Sequence, residues 1–392
     1  MLPLFVLAHF SHHLMMALMT PLLPYIRDDF TLTYTQIGWL VLAYNLAYGI
    51  SQLPAGWLAD RIGPRIVLTI GVAGVAVAGL LIGLAPTYVI LALFFVLLGL
   101  AGGGYHPAAA PLVSASVDPE YRGGALGIHQ IGGTSSFFLA PLIAAAIAGA
   151  LGWRGTFLAI AIPTVIFGII FYVLLGRLGY TKKAKPETPA AHTEVTPAPR
   201  RLHRLVAFFI LGIASLALVY STISFIPLFI VDHFRLSEET AAASLAVAYF
   251  AGIFAGPLGG FLSDLLGRVP VILAVGLIAG PAIYLLNLVP FGWDITLFGL
   301  PLELLIILFA MGMAMHLGMP VVEAYIITHT SEQKRSTVLG IYYLGSRGGP
   351  AIAPVIGYLI DHYGFYTSFS VAGATMLAVT LICAIFLWGG RD

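Results

Sequence analysis

Gly56-Trp57-Leu58-Ala59-Asp60-Arg61-Ile62-Gly63 returns 204 residues later as Gly260-Phe261-Leu262-Ser263-Asp264-Leu265-Leu266-Gly267. Each copy closes the second long apolar segment of its half of the chain. The similarity continues at an offset of 213 residues: Gly99 maps to Gly312, Pro107 to Pro320, Arg122 to Arg335, Leu126-Gly127-Ile128 to Leu339-Gly340-Ile341, and Ala140-Pro141 to Ala353-Pro354. The pattern predicts a doubled chain. Two similar membrane-embedded halves can rock against each other around a site on a shared axis, which is what alternating access requires.

Composition fixes the solvent. Of 392 residues 59% are hydrophobic and only 9% charged, with a mean hydropathy of +0.98, whereas soluble domains carry roughly 25% charged residues. About 20 apolar residues cross the hydrocarbon as a helix. Twelve such stretches are legible, from 4–26, 35–58 and 66–85 through 88–114, 123–149 and 156–176 in the first half. The second half gives 205–230, 240–262, 270–289, 302–327, 337–360 and 366–389. The expected fold is an all-α membrane protein with twelve transmembrane helices in two pseudo-symmetric six-helix bundles, 1–176 and 205–392. Residues 177–204, rich in Lys, Pro, Thr and Ala, read as a cytoplasmic tether that cannot form a packed core.

Net charge of +1 points to no nucleic-acid partner, but the placement of basic residues is informative. If both termini are cytoplasmic, fourteen of the eighteen Lys and Arg fall on the inner side, as the positive-inside bias requires. The expected location is an inner or plasma membrane, crossed many times. Cys383 is the single cysteine, so no internal disulfide can form. The first apolar stretch lacks a basic leader and runs into Pro21 and Pro24, which reads as a retained helix rather than a signal peptide.

Gly56, Leu58, Asp60, Arg61, Gly63 and Arg65 match a loop signature of the major facilitator superfamily, which the whole chain resembles. Within it, His9-Phe10, Pro21-Leu22-Leu23-Pro24, Thr35-Gln36-Ile37-Gly38, Tyr105-His106-Pro107 and Gln130-Ile131-Gly132-Gly133 are most similar to the fosmidomycin-resistance group. That resemblance implies proton-driven export of small, often anionic, molecules. In the first helix His12-His13 stand where relatives commonly place Asn-Asp.

The repeated motif also has a gating reading. Asp60 and Asp264 can meet the positive end of a neighbouring helix, with Arg61, Arg65, Arg122, Arg268 and Arg335 nearby, so that Gly56 to Gly63 and its copy form a latch. The alternative is that Asp60 only fixes a loop.

Ionisable groups inside hydrocarbon cost roughly 2.5 to 3.5 kcal/mol each on insertion scales, so those retained face a cavity or a partner. Glu323 and Arg347 are expected to form a buried pair that a proton on Glu323 would open, freeing the guanidinium for a carboxylate, phosphonate or sulfonate. A purely structural ion pair is the alternative. His9, His12 and His13 share one helix face, and His106, His129 and His316 also lie in apolar spans. Imidazole carries protons near neutrality. His13 and His106 are the expected carriers beside Glu323, whereas His9 reads as a helix-to-helix hydrogen bond. Gly102-Gly103-Gly104 permits close helix contact or local unwinding, and is no nucleotide loop because it lies within a span.

Substrate-lining candidates are Arg347, His12, Tyr44, Asn45, Tyr105, His129, Gln130, Tyr220, His316 and Tyr343. The methionines at 15, 16, 311, 313, 315 and 319 read mainly as packing. No metal site is expected, because no acid or thiol joins His9, His12 and His13, and no cofactor is implied. The expected function is a proton-coupled exporter of a small organic anion or amphipathic solute, acting as a monomer. Import by proton symport is the alternative. A membrane enzyme using the histidines is more remote, since neither His-Glu-x-x-His nor Gly-x-Ser-x-Gly occurs.

Overall fold

The computed structural model describes residues 1–179, 202–290, 292–330, 338, 341–342, 344–346 and 352–389. It is almost entirely helical: α1 (Leu2–Ala17), α2 (Leu23–Phe30), α3 (Tyr34–Ile62), α4 (Pro64–Thr69), α5 (Val75–Gly83), α6 (Tyr88–Gly102), α7 (Tyr105–Ser114) and α8 (Arg122–Arg177) lie in the first half. The second half holds α9 (Leu202–Phe234), α10 (Glu238–Leu266), α11 (Arg268–Leu285), α12 (Leu302–His329) and α13 (Ala353–Leu387). A two-residue hairpin, Thr296–Leu297 with Leu300–Pro301, turns through Phe298 and Gly299, both at positive φ, as a tight hairpin demands.

Nine helical stretches among the described residues are long and apolar enough to cross a membrane. Two of them bend where the sequence predicts a break between spans, at Gly152 (φ 66°) in α8 and at Gly364 (φ 76°) in α13. Their outward faces are apolar: Ile162, Ile166, Ile169 and Ile170 of α8 and Leu381, Ile382 and Ile385 of α13 are all exposed. Lipid is the medium that suits such a face.

The described residues sort into two units, one within Met1–Phe30 and Ala43–Val195, the other within Thr31–Leu42 and Thr196–Asp392. The doubling is visible in backbone angles. Gly63 (φ 94°, ψ 142°) and Gly267 (φ 93°, ψ 155°) adopt nearly the same glycine-only conformation, and Thr31 (φ 51°) and Arg235 (φ 57°) form a second left-handed pair at the same offset of 204. Helix starts repeat too. Ser237 Oγ accepts from Thr240 N at 3.2 Å at the head of α10. At the head of α3, Thr33 Oγ1 accepts from Gln36 N at 3.2 Å and Gln36 Oε1 from Thr33 N at 2.8 Å, a reciprocal cap.

The repeated motif is helical rather than a loop. Residues 56–62 and 260–266 finish α3 and α10, and the chain turns only at Gly63 and Gly267. Local hydropathy underestimates these ends because Asp60 and Arg61 are polar, yet a helix can carry polar residues in its last turn.

Between helices in lipid the hydrophobic effect supplies no drive, so close packing must hold them. α1 lies on α8 because Gly132 has no side chain: a Cβ there would strike the Val6 carbonyl of α1. The core around this crossing includes Phe5, Leu68, Val72, Tyr105, Val113 and Phe171. In the other unit Gly345 lies against the Ile213 side chain of α9.

Candidate functional site

α1 delivers His9, His12 and His13 on one face, α7 begins with Tyr105 and His106, and α8 brings His129. The break at Gly103 and Gly104, between α6 and α7, starts a new helix where Tyr105 and His106 turn inward. Tyr105 is fully buried, and His9, His12, His13 and His129 are buried to 5% exposure or less.

Each imidazole is oriented by a specific partner. His9 Nδ1 donates to the His129 carbonyl at 2.9 Å, and His12 Nδ1 donates to the Gly71 carbonyl at 2.6 Å. A carbonyl only accepts, so in the neutral rings Nδ1 carries the proton and Nε2 presents a lone pair. Both Nε2 atoms are buried and lack a hydrogen-bond partner. His13 Nε2 and His106 Nε2 lie 3.2 Å apart, and Tyr105 Oη lies 3.1 Å from His129 Nε2. Four rings stack face to face: His12 on Tyr105 at 4.4 Å, Tyr105 on His9 at 5.2 Å, and His9 on His129 at 4.2 Å between centroids. Gly133 leaves room for the His9 ring, since a Cβ there would lie 2.6 Å from it.

Of the sequence candidates, His12, His13, Tyr105, His106 and His129 therefore converge. His9 makes the expected helix-to-helix hydrogen bond but also sits at the centre of the cluster. A ring nitrogen from each of His9, His13 and His106 can be chosen so that all three lie within 4.8 Å of one another. The α1 histidines were legible from their i, i+3, i+4 spacing; the sequence carries no signal that His106, 93 residues further on, would join them.

The other candidates are more dispersed. Tyr44 is buried and donates from its hydroxyl to the Met16 carbonyl at 3.1 Å; Asn45 beside it is buried, and Gln130 is exposed. Tyr220 is half-buried in α9 and accepts at its carbonyl from Ser224 Oγ. His316 donates from Nδ1 to the Gly312 carbonyl at 2.9 Å within α12. Glu323, half-buried, lies six residues before the end of the same helix. Tyr343, Arg347 and Arg335 fall outside the described residues.

The gating candidates lie at helix ends. Asp60 and Asp264 are exposed, as is Arg61, whose guanidinium covers the Trp57 ring at 4.4 Å. Arg65 donates from Nε to the Tyr172 carbonyl at 3.0 Å and lies 3.7 Å over that ring, tying α4 to the C-terminal part of α8. Gly56, Arg122 and Arg268 are half-buried.

A family profile described as Major Facilitator Superfamily matches residues 5–300 and 208–392. A probable nitrate/nitrite antiporter of Thermus thermophilus is 26% identical, covering 93% of this chain and 84% of that protein. A multidrug resistance protein of Salmonella paratyphi C is also 26% identical, over 89% and 84%. Among solved structures, an inward-facing, occupied bacterial homologue of the human lysosomal transporter Spinster superposes with a TM-score of 0.77 at 20% identity, covering 98% of this chain and 95% of that one.

Proposed function

We propose, since the chain belongs to the Major Facilitator Superfamily, that it is a proton-coupled secondary transporter exporting a small organic anion or amphipathic solute by alternating access. The observation that carries the reading is Glu323. A carboxyl half-buried within a 28-residue apolar helix is costly unless it faces a cavity or a partner, and an ionisable group at such depth is a functional residue by default. At 1.5 Å per residue it lies roughly 9 Å inside the end of α12, deep enough to be shielded and shallow enough to exchange protons with one side.

Glu323 takes the proton and Arg347 takes the anion; protonation of the acid releases the guanidinium for a bidentate contact with substrate. Tyr220 and His316, which belong to the same half of the chain as Arg347, orient the remainder of the solute through hydrogen bonds. Asp60 and Asp264 act in gating with their neighbouring arginines. Both termini face the cytoplasm, and the protein works as a monomer in the inner or plasma membrane.

Two lines support an anionic or drug-like cargo carried outward: the antiporter and multidrug names of two relatives, and the motifs that resemble the fosmidomycin-resistance group. The Glu323 and Arg347 chemistry supports an anionic cargo but by itself moves proton and anion in the same direction. The test is transport by purified protein in proteoliposomes, using a panel of small carboxylates, sulfonates and phosphonates. A pH gradient acid on the outside should drive solute from the lumen outward, and Glu323→Gln should abolish that drive while leaving solute-for-solute exchange. Solute moving in the direction of the proton would establish symport instead. Normal gradient dependence in Glu323→Gln would remove the acid from the mechanism.

A further inference from the structure

We infer that His9, His13 and His106 form a binding site for a divalent late transition metal of the Zn2+ class. The site belongs to the first unit and does not depend on Glu323 or on the proposed cargo.

The distances come first. Zn2+ binds imidazole nitrogen at about 2.0 to 2.1 Å in tetrahedral geometry, which places neighbouring ligand nitrogens roughly 3.3 Å apart. His13 Nε2 and His106 Nε2 stand at 3.2 Å, a hydrogen bond in which one of the two carries the proton; an ion takes that proton's place, and the proton moves to Nδ1 of its ring. The three-histidine group spans no more than 4.8 Å between ligand atoms, so closing it around an ion needs a shift of about 1.5 Å or less, within the reach of side-chain rotation.

The state of His9 supplies an independent observation. Its Nδ1 proton is committed to the His129 carbonyl, and its Nε2 is buried without a partner. A neutral imidazole that donates one nitrogen to a backbone carbonyl and keeps the other as a bare lone pair has the tautomer that metal-binding histidines show. Burying that lone pair unsatisfied costs free energy, and a bound cation removes the cost.

The ligand set also selects the ion. Three neutral nitrogens without a carboxylate disfavour Mg2+ and Ca2+, which require oxygen ligands, and suit Zn2+, Co2+, Ni2+ or Cu2+. Three protein ligands leave a fourth coordination position for water or another small ligand. Because His9 and His13 belong to α1 and His106 to α7, the ion ties two helices together.

The test uses the full chain in detergent with any affinity tag removed, titrated with Zn2+ by calorimetry and with Co2+ by visible absorption. Wild type should bind one ion, with the intense visible bands of four-coordinate Co2+. His13→Gln and His106→Gln should each weaken binding by at least about 100-fold, since even outer-shell changes cost 10- to 100-fold. His362→Gln, at an exposed histidine, should bind as wild type does. Zn2+ should raise the melting temperature of wild type and of His362→Gln but not of the other two. Weak octahedral Co2+ bands in wild type, or equal Zn2+ affinity in wild type, His13→Gln and His106→Gln, would overturn the site. The Co2+ spectrum of wild type decides even if a variant fails to fold.

Discussion

The two halves share a skeleton and differ in their chemistry. Gly63 and Gly267, Thr31 and Arg235, and Gly132 and Gly345 occupy corresponding places with corresponding backbone conformations or helix contacts. Yet His9, His12 and His13 map onto Ile213, Leu216 and Ala217, and His106 maps onto Met319. The asymmetry also runs the other way: Glu323 maps onto Ala110. The matching backbone carries an imidazole cluster in one half and an acid in the other. A two-fold scaffold therefore does not imply two equivalent sites.

The largest expected effect tests that inequality. Glu323→Gln should lower gradient-driven transport at least about tenfold, equivalent to roughly 1.4 kcal/mol, whereas Ala110→Gln, its counterpart on an exposed position, should stay within about twofold. Parallel flux measurements on the two variants decide it. Equal losses would mean that the halves contribute alike.

Next come the helix crossings. Gly132→Ala drives a methyl into the Val6 backbone carbonyl, while Gly345→Ala meets only the end of the Ile213 side chain, at 2.5 Å. Overpacking against backbone costs roughly 1 to 3 kcal/mol; a flexible side chain yields. Thermal unfolding in detergent should show the larger loss for Gly132→Ala.

The turn glycines should behave alike. Placing a Cβ at φ near +94° with ψ near 150° costs about 1 to 3 kcal/mol, so Gly63→Ala and Gly267→Ala should destabilise by equal amounts within about 0.5 kcal/mol. An unequal pair would show that the skeleton is less alike than its angles.

The smallest effect concerns the helix heads. Asp361 accepts from Tyr34 N at 2.9 Å, Thr35 N at 2.8 Å and Thr35 Oγ1 at 2.5 Å, an added cap on α3 from a distant residue. Asp361→Ala and Ser237→Ala should each cost about 0.5 to 2 kcal/mol, with Asp361 at the upper end because it serves three donors. Hydrogen exchange at the first turns of α3 and α10 measures each loss separately.

How much of this was legible varied with the length scale of the signal. Apolar runs and the 56–63 and 260–267 repeat disclosed a doubled helical membrane protein, because both are local or self-referential patterns. The spacing of His9, His12 and His13 disclosed a polar face on α1. What stayed hidden was contact between distant segments. Nothing in the sequence placed His106 at 3.2 Å from His13. Likewise the polar Asp60 and Arg61 made a helix end resemble a loop, and Asp361 gave no sign of capping a helix more than 300 residues away.

Simultaneous recording of solute and proton flux in the same proteoliposomes, with a pH dye in the lumen, bears on proton-coupled export above all else. Outward movement of an accepted anion should acidify the lumen in wild type and leave it unchanged in Glu323→Gln. Solute flux that leaves the luminal pH constant, or that makes it more alkaline, would contradict exchange of the solute against protons.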